Sequence, residues 1–187
     1  MRVLGIDPGS QITGIGIIDA SGSSDGNQHV FSESLRLPKG ELAKRLGAIY
    51  QRLEAVIVEH KPHIIALEKV FLAKNPQAAL TLGHARGAAM LAGVNAGLEV
   101  YEYSATEIKK TIVGRGRADK AQVQHMVKAL LQLKEMPEVD ESDALACALC
   151  HVHQSQSPLA GGTSKGTVRS GALKGYSKDV IARMKIQ

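Results

Sequence analysis

Apolar positions in this chain run unbroken in some stretches and recur at helical spacing in others, and the change between the two patterns predicts its elements. Residues 2–7, RVLGID, read as a buried strand and residues 12–19, ITGIGIID, as a second. The link PGSQ is short enough to make them an antiparallel hairpin. SGSSDGN at 21–27 is a turn, and QHVFSESLRL at 28–37 gives a third strand. From Glu41 to His60 the pattern becomes helical, with Leu42, Leu46, Ile49, Leu53, Val56 and Ile57 on one face. Pro62 stops that helix. HIIALEKV at 63–70 is a continuous apolar run, as expected of a buried parallel strand. A long helix rich in Ala and Gly spans 77–96, and LEVYEY at 98–103 is a fifth strand.

The remaining elements are announced by their ends. Ser104 and Glu107 form a capping box, and Gly114 closes the helix that follows. Asp119 caps the next helix, expected to run to about Leu133. Pro137 precedes a last helix near 140–153. The order β-β-β-α-β-α-β-α-α-α predicts an α/β fold: a five-stranded mixed sheet with helices on both faces. The first and fourth strands would be neighbours. Residues 1–154 are read as one domain, and 155–187, rich in Ser and Gly, as a basic, flexible tail.

Against this pattern four acids stand out. Asp7 ends the first strand and Glu68 the fourth, where a carboxylate on an apolar strand adds nothing to stability. Asp140 and Asp143 open the last helix three residues apart, on one helical face. Clustered carboxylates repel one another and hold their protons unless a cation neutralises them. Magnesium, which prefers oxygen ligands, suits such a set, with Mn²⁺ as a substitute. Two ions about 3.5–4 Å apart could activate a water and steady the leaving oxygen of a phosphodiester.

Charge sharpens the choice of partner. The net charge is +5, yet residues 1–150 hold 17 basic and 17 acidic residues, so the excess lies beyond them. Within the balanced part, Lys109, Lys110, Arg115, Arg117 and Lys120 crowd into twelve positions against Asp119. Such clusters suit a polyanion, and Gly114 and Gly116 allow close backbone approach to phosphate. Phe71, just past Glu68 where the chain leaves the sheet, is placed to stack on a base, and Lys74 follows it.

Other classes fall away. No run of 18 apolar residues suggests a membrane span, and the start lacks the pattern of a signal peptide, so a cytoplasmic location is expected. Two nearby cysteines make no disulfide framework. Cys147, Cys150 and His151 match a haem-attachment spacing, but they fall in an apolar helix and read as buried small residues. DPGSQITG also resembles the phosphate-cradling hairpin of actin-like ATPases, which need two such domains; no Walker-type loop is present.

Taken together, GIDPGSQITGIG, ALEKVFLAKNPQAALTLGHARG, YSATEIKKTIVGRGRADKAQVQHMV and DESDALACALCHVH resemble the RuvC-type crossover junction endodeoxyribonucleases, over roughly residues 1–153. The resemblance implies an RNase H-like fold and a Mg²⁺-dependent homodimer that nicks two opposed strands of a four-way (Holliday) DNA junction. It also implies cooperation with the RuvA–RuvB branch-migration complex in recombination and repair. Carried over, the family's acidic tetrad falls on Asp7, Glu68, Asp140 and Asp143, its junction-contacting aromatic on Phe71, and its functional lysines on Lys109 and Lys120. The helix 77–96 falls at the family's dimer interface. The tail after about residue 155 lies outside the resemblance.

Overall fold

The computed structural model describes residues 1–21, 26–69 and 75–156. Phe71, Lys74 and nearly all of the segment 155–187 lie outside them. The strands are β1 (Arg2–Asp7), β2 (Ile12–Asp19), β3 (Gln28–Arg36), β4 (Ile64–Glu68) and β5 (Glu99–Tyr103). The helices are α1 (Leu42–His60), α2 (Pro76–Asn95), α3 (Ala105–Val113), α4 (Lys120–Leu130) and α5 (Val139–Gln156). One sheet forms in the order β3-β2-β1-β4-β5. β1, β2 and β3 are antiparallel, whereas β1, β4 and β5 are parallel. The expected mixed sheet, with the first and fourth strands adjacent, is what forms.

Strand alternation sorts the side chains onto two faces. Leu4, Ile6, Ile15, Ile17, Ile65 and Leu67 point to the face covered by α1 and α2, and pack with Ile49, Leu53, Val56, Ala85 and Ala89. Val3, Ile18, Ala66 and Tyr103 point to the other face, where they meet α3, α4 and α5. α5 is the centre of that second layer: every residue from Ala144 to Val152 is buried.

α5 can lie this close because the strands beneath it carry glycine. A Cβ on Gly5 would overlap the carbonyl oxygen of Ala144, and one on Gly14 that of Asp140. Backbone thus rests on backbone at the first turns of α5. The expected capping box of Ser104 with Glu107 forms, Asp119 caps α4 as expected and makes a further capping box with Gln122, and Gly114 takes the left-handed conformation that ends α3. α4 is shorter than its periodicity predicts. Gln132 turns left-handed at φ 51°, and Leu133 N donates to Lys128 O at 3.0 Å while Gln132 N donates to Ala129 O at 3.2 Å. This pair of bonds is a Schellman stop, built here without the glycine that usually marks one.

Candidate active site

The two strand acids arrive together by register. Val3 and Ala66 face α5, so by alternation Asp7 and Glu68 do as well, at the same end of adjacent parallel strands. α5 begins over that end and brings Asp140 and Asp143 in its first turns. A cleft of about 250 Å³ opens there, lined by Asp7, Glu68, Asp143, Lys109, Lys120, Ala105, Ile108 and Val123. A larger recess of about 470 Å³, between Gly26–His29 and Leu131–Lys134, carries none of the four acids.

Burial and mutual repulsion dominate the electrostatics. Asp7 is pushed up to about 6, first by burial and then by Asp143, with Asp140 adding to the effect and Lys120 opposing it. Glu68 is pushed up to about 8 by burial, then by Asp7 and Asp143, against the pull of Lys120 and Lys109. Lys120 Nζ donates to Asp143 Oδ2 at 2.9 Å, which raises the pKa of the lysine. The site therefore holds more negative charge than its lysines neutralise.

Carboxylates from three elements, two of them held above their ordinary range, have the donor chemistry that a hard divalent cation prefers. Their chemistry fits such an ion. As the side chains stand, no three His, Cys, Asp or Glu among the described residues close into a ready cage, and Lys120 engages one of the four acids. Gathering three of these carboxylates on one ion thus takes rotamer movement.

The sequence-predicted cations divide. Lys109 and Lys120 line the cleft, whereas Lys110, Arg115 and Arg117 are exposed outside its lining. The cysteine–histidine motif is structural. Cys147 and Cys150 are free and buried, and burial pushes both thiols up. His151 is buried, its pKa lowered by burial, and its Nδ1 shares a hydrogen bond of 2.7 Å with Tyr103 Oη. Gly5 and Gly14, which seat α5, were not among the expected site residues. Their signal in the sequence is glycine inside strands that otherwise carry large apolar residues.

Fold and site together define an RNase H-like α/β protein with an acidic cleft at its strand ends. The profile of the family "Crossover junction endodeoxyribonuclease RuvC" matches residues 3–151, and the chain belongs to that family. It is 48% identical to the RuvC of Marinobacter nauticus over 92% of this chain and 97% of that protein. It is 52% identical to the RuvC of Alkalilimnicola ehrlichii over 82% of this chain and 92% of that one. Among solved structures it resembles Thermus thermophilus RuvC, with TM-score 0.76, 33% identity and coverage of 83% and 96% of the two chains. It likewise resembles that protein in complex with a Holliday junction substrate, with TM-score 0.78, 32% identity and coverage of 83% and 95%. The yeast mitochondrial resolvase Ydc2, at 14% identity and TM-score 0.58, shares the fold. Because 92% of 187 residues exceeds the first 154, the Marinobacter match runs into the segment after residue 155, which the expected resemblance had left out.

Proposed function

We propose that this protein is a metal-dependent endonuclease that resolves four-way DNA junctions by paired, symmetric nicks in recombination and repair. The observation that carries the reading is the meeting of Asp7, Glu68 and Asp143 in one cleft beside Lys109 and Lys120, with Asp140 close enough to raise the pKa of Asp7, in a chain of the RuvC family. The four acids hold Mg²⁺, two ions per site, with Mn²⁺ able to replace it. Bound metal supplies activation of the attacking water and compensation of charge at the leaving oxygen.

The chain's own residues do the rest. Asp7 and Glu68, whose protons burial helps to retain, would be ligands of the metal once deprotonated. Lys120 leaves Asp143 and turns to the phosphate, where it balances charge and can assist proton transfer. Lys109 lines the same cleft and orients the backbone. Lys110, Arg115 and Arg117 continue the cationic surface outward, while Phe71 stacks on an unpaired base at the crossover with Lys74 beside it.

A symmetric junction needs two cuts, so the working unit is a homodimer with its sites related by a two-fold axis. α2 supports this. Leu80 and Leu91 are 56% and 51% exposed, and Gly83 and Gly87 between them have open space above them. The four positions share one face, an apolar stripe with small residues at its middle. The dimer works with the RuvA–RuvB complex in the cytoplasm. Among the described residues no helix is long and apolar enough to cross a membrane. The segment after residue 155 adds non-specific DNA affinity.

The test is cleavage of a synthetic mobile four-way junction, with and without Mg²⁺, beside linear duplex and flap controls. Paired nicks on the junction alone are expected. Cutting of the controls instead would keep the chemistry and overturn the substrate. Binding without cutting anything would reduce the protein to a junction-binding module.

A further inference from the structure

The cations of this molecule fall into two groups, those with an acid partner and those without. Arg2, Arg36, Lys44, Arg52, Arg86 and Lys120 each pair with a carboxylate. Near the cleft, Lys109, Lys110, Arg115 and Arg117 are without one among the described residues, as a phosphate-binding surface requires. Two further cations without an acid, Lys39 and Arg45, lie at the same end of the sheet but on its β2–β3 side.

Their placement is fixed by the turn that follows Asp7. Thr13 Oγ1 donates to Gly9 O at 3.2 Å, and Leu37 N donates to Gln11 O at 2.9 Å. The second bond ties the β3–α1 connection, which carries Lys39, to the β1–β2 turn. Arg45, on α1, reaches the same turn: its Nη1 donates to Ser10 O at 2.8 Å. Its Nε is buried with no acceptor. A half-buried guanidinium with a donor left over and no counter-charge is costly, and a carbonyl oxygen does not neutralise it. Ser10 lies in the turn that follows Asp7, so this charge sits at the acid-bearing end of the sheet, reached from α1 on the face opposite α5.

We propose that Arg45 and Lys39 form a second DNA-backbone clamp, gripping a phosphate of the bound strand away from the scissile bond. The inference rests on the proposed junction-cleaving function and adds a contact surface to it. A phosphate drawn in beside Ser10 and Gln11 supplies the countercharge that Arg45 lacks, and Lys39 closes on it from the linker. The bound strand then gains a hold at this end of the sheet besides the lysines of the cleft, which limits its sliding.

The test is junction binding by the full-length protein in EDTA, titrated with KCl, for wild type, Lys39→Gln, Arg45→Gln, Arg45→Lys and the double Gln variant. Each lost phosphate contact should lower the slope of log K against log salt by about 0.9. Both single Gln variants should show that loss, the double variant about twice it, and Arg45→Lys should recover most of it. Lys39 is exposed and has no acid partner among the described residues, so an unchanged melting temperature of Lys39→Gln separates a lost phosphate contact from a disturbed fold. Slopes unchanged in Lys39→Gln and Arg45→Gln, while Lys109→Gln lowers its own, would overturn the clamp. A wild-type protein that does not bind the junction would instead overturn the function on which the clamp rests.

Discussion

The two ends of the sheet treat charge in opposite ways. At the end where β1 begins, Arg2 forks onto Asp19 with bonds of 2.9 and 2.7 Å, and gives a third bond of 2.7 Å to His60 O. The arginine holds Asp19 below the usual carboxylate range. At the end where β1 stops, Asp7 and Glu68 are lifted far above that range and the lysines nearby are too few to bring them down. One strand thus runs from satisfied charge to unsatisfied charge. The first end is a fastening. The second, on the proposed function, is a site kept under electrostatic tension for a cation and a phosphate to relieve.

The sharpest way to break this contrast is to neutralise one acid at each end. Asp7→Asn and Glu68→Gln should lower cleavage by more than the roughly 10–100-fold typical of residues that merely support a metal ligand, while junction binding persists. Asp19→Asn should cut at the wild-type rate. Wild-type cleavage by Asp7→Asn would remove Asp7 from the site.

Next in size is the dimer. Leu80→Glu with Leu91→Glu places charges on the exposed stripe of α2 and should turn a dimer into a monomer in analytical ultracentrifugation. Each monomer should keep its thermal stability, because both side chains are exposed. An unchanged sedimentation coefficient would move the interface elsewhere.

Stability against pH then separates the two ends in a single measurement. Asp7 and Glu68 titrate near pH 4 when unfolded but near 6 and 8 when folded. Between those values the native state holds more protons, so their contribution falls as pH rises from about 4 to about 8. Asp19 has the opposite sign: its contribution is present above the usual carboxylate range and is lost on acidification. In EDTA the melting temperature should drop by several degrees between pH 5 and pH 8, and Glu68→Gln should flatten the drop. Added Mg²⁺ should restore the loss at pH 8, since metal replaces the protons. A flat profile in metal-free wild type would show that the acids are not crowded.

The smallest effect belongs to the fastening itself. Asp19 keeps 40% of its side chain exposed, so Asp19→Asn should cost roughly 0.2–1 kcal/mol in urea unfolding. A loss several times larger would mean that this end, too, carries strain.

Much of this could be read from the residues alone, for identifiable reasons. Apolar runs with short links fix β1, β2 and β4, and adjacency of β1 to β4 follows once both are buried. Asp7 and Glu68 are visible because a charge at the end of an apolar strand has no structural excuse. The stop at Gln132 was not visible, because a left-handed residue is signalled by glycine and here there is none. Lys39 and Arg45 were not visible either. The bond from Arg45 to Ser10 joins positions 35 apart, and no local pattern reports a contact between a helix and a distant turn.

The seating of α5 on Gly5 and Gly14 has one more consequence. Half of the acidic set, and the central part of the cover of one face of the sheet, come from the last described element of the chain. During synthesis the strands carrying Asp7 and Glu68 emerge long before Asp140 and Asp143. A nascent or truncated chain that lacks α5 presents an open sheet with two stranded acids, and it has no complete cleft. On the proposed function, the order of translation therefore acts as a safety catch: the capacity to cut DNA arrives only with the segment that also completes the fold.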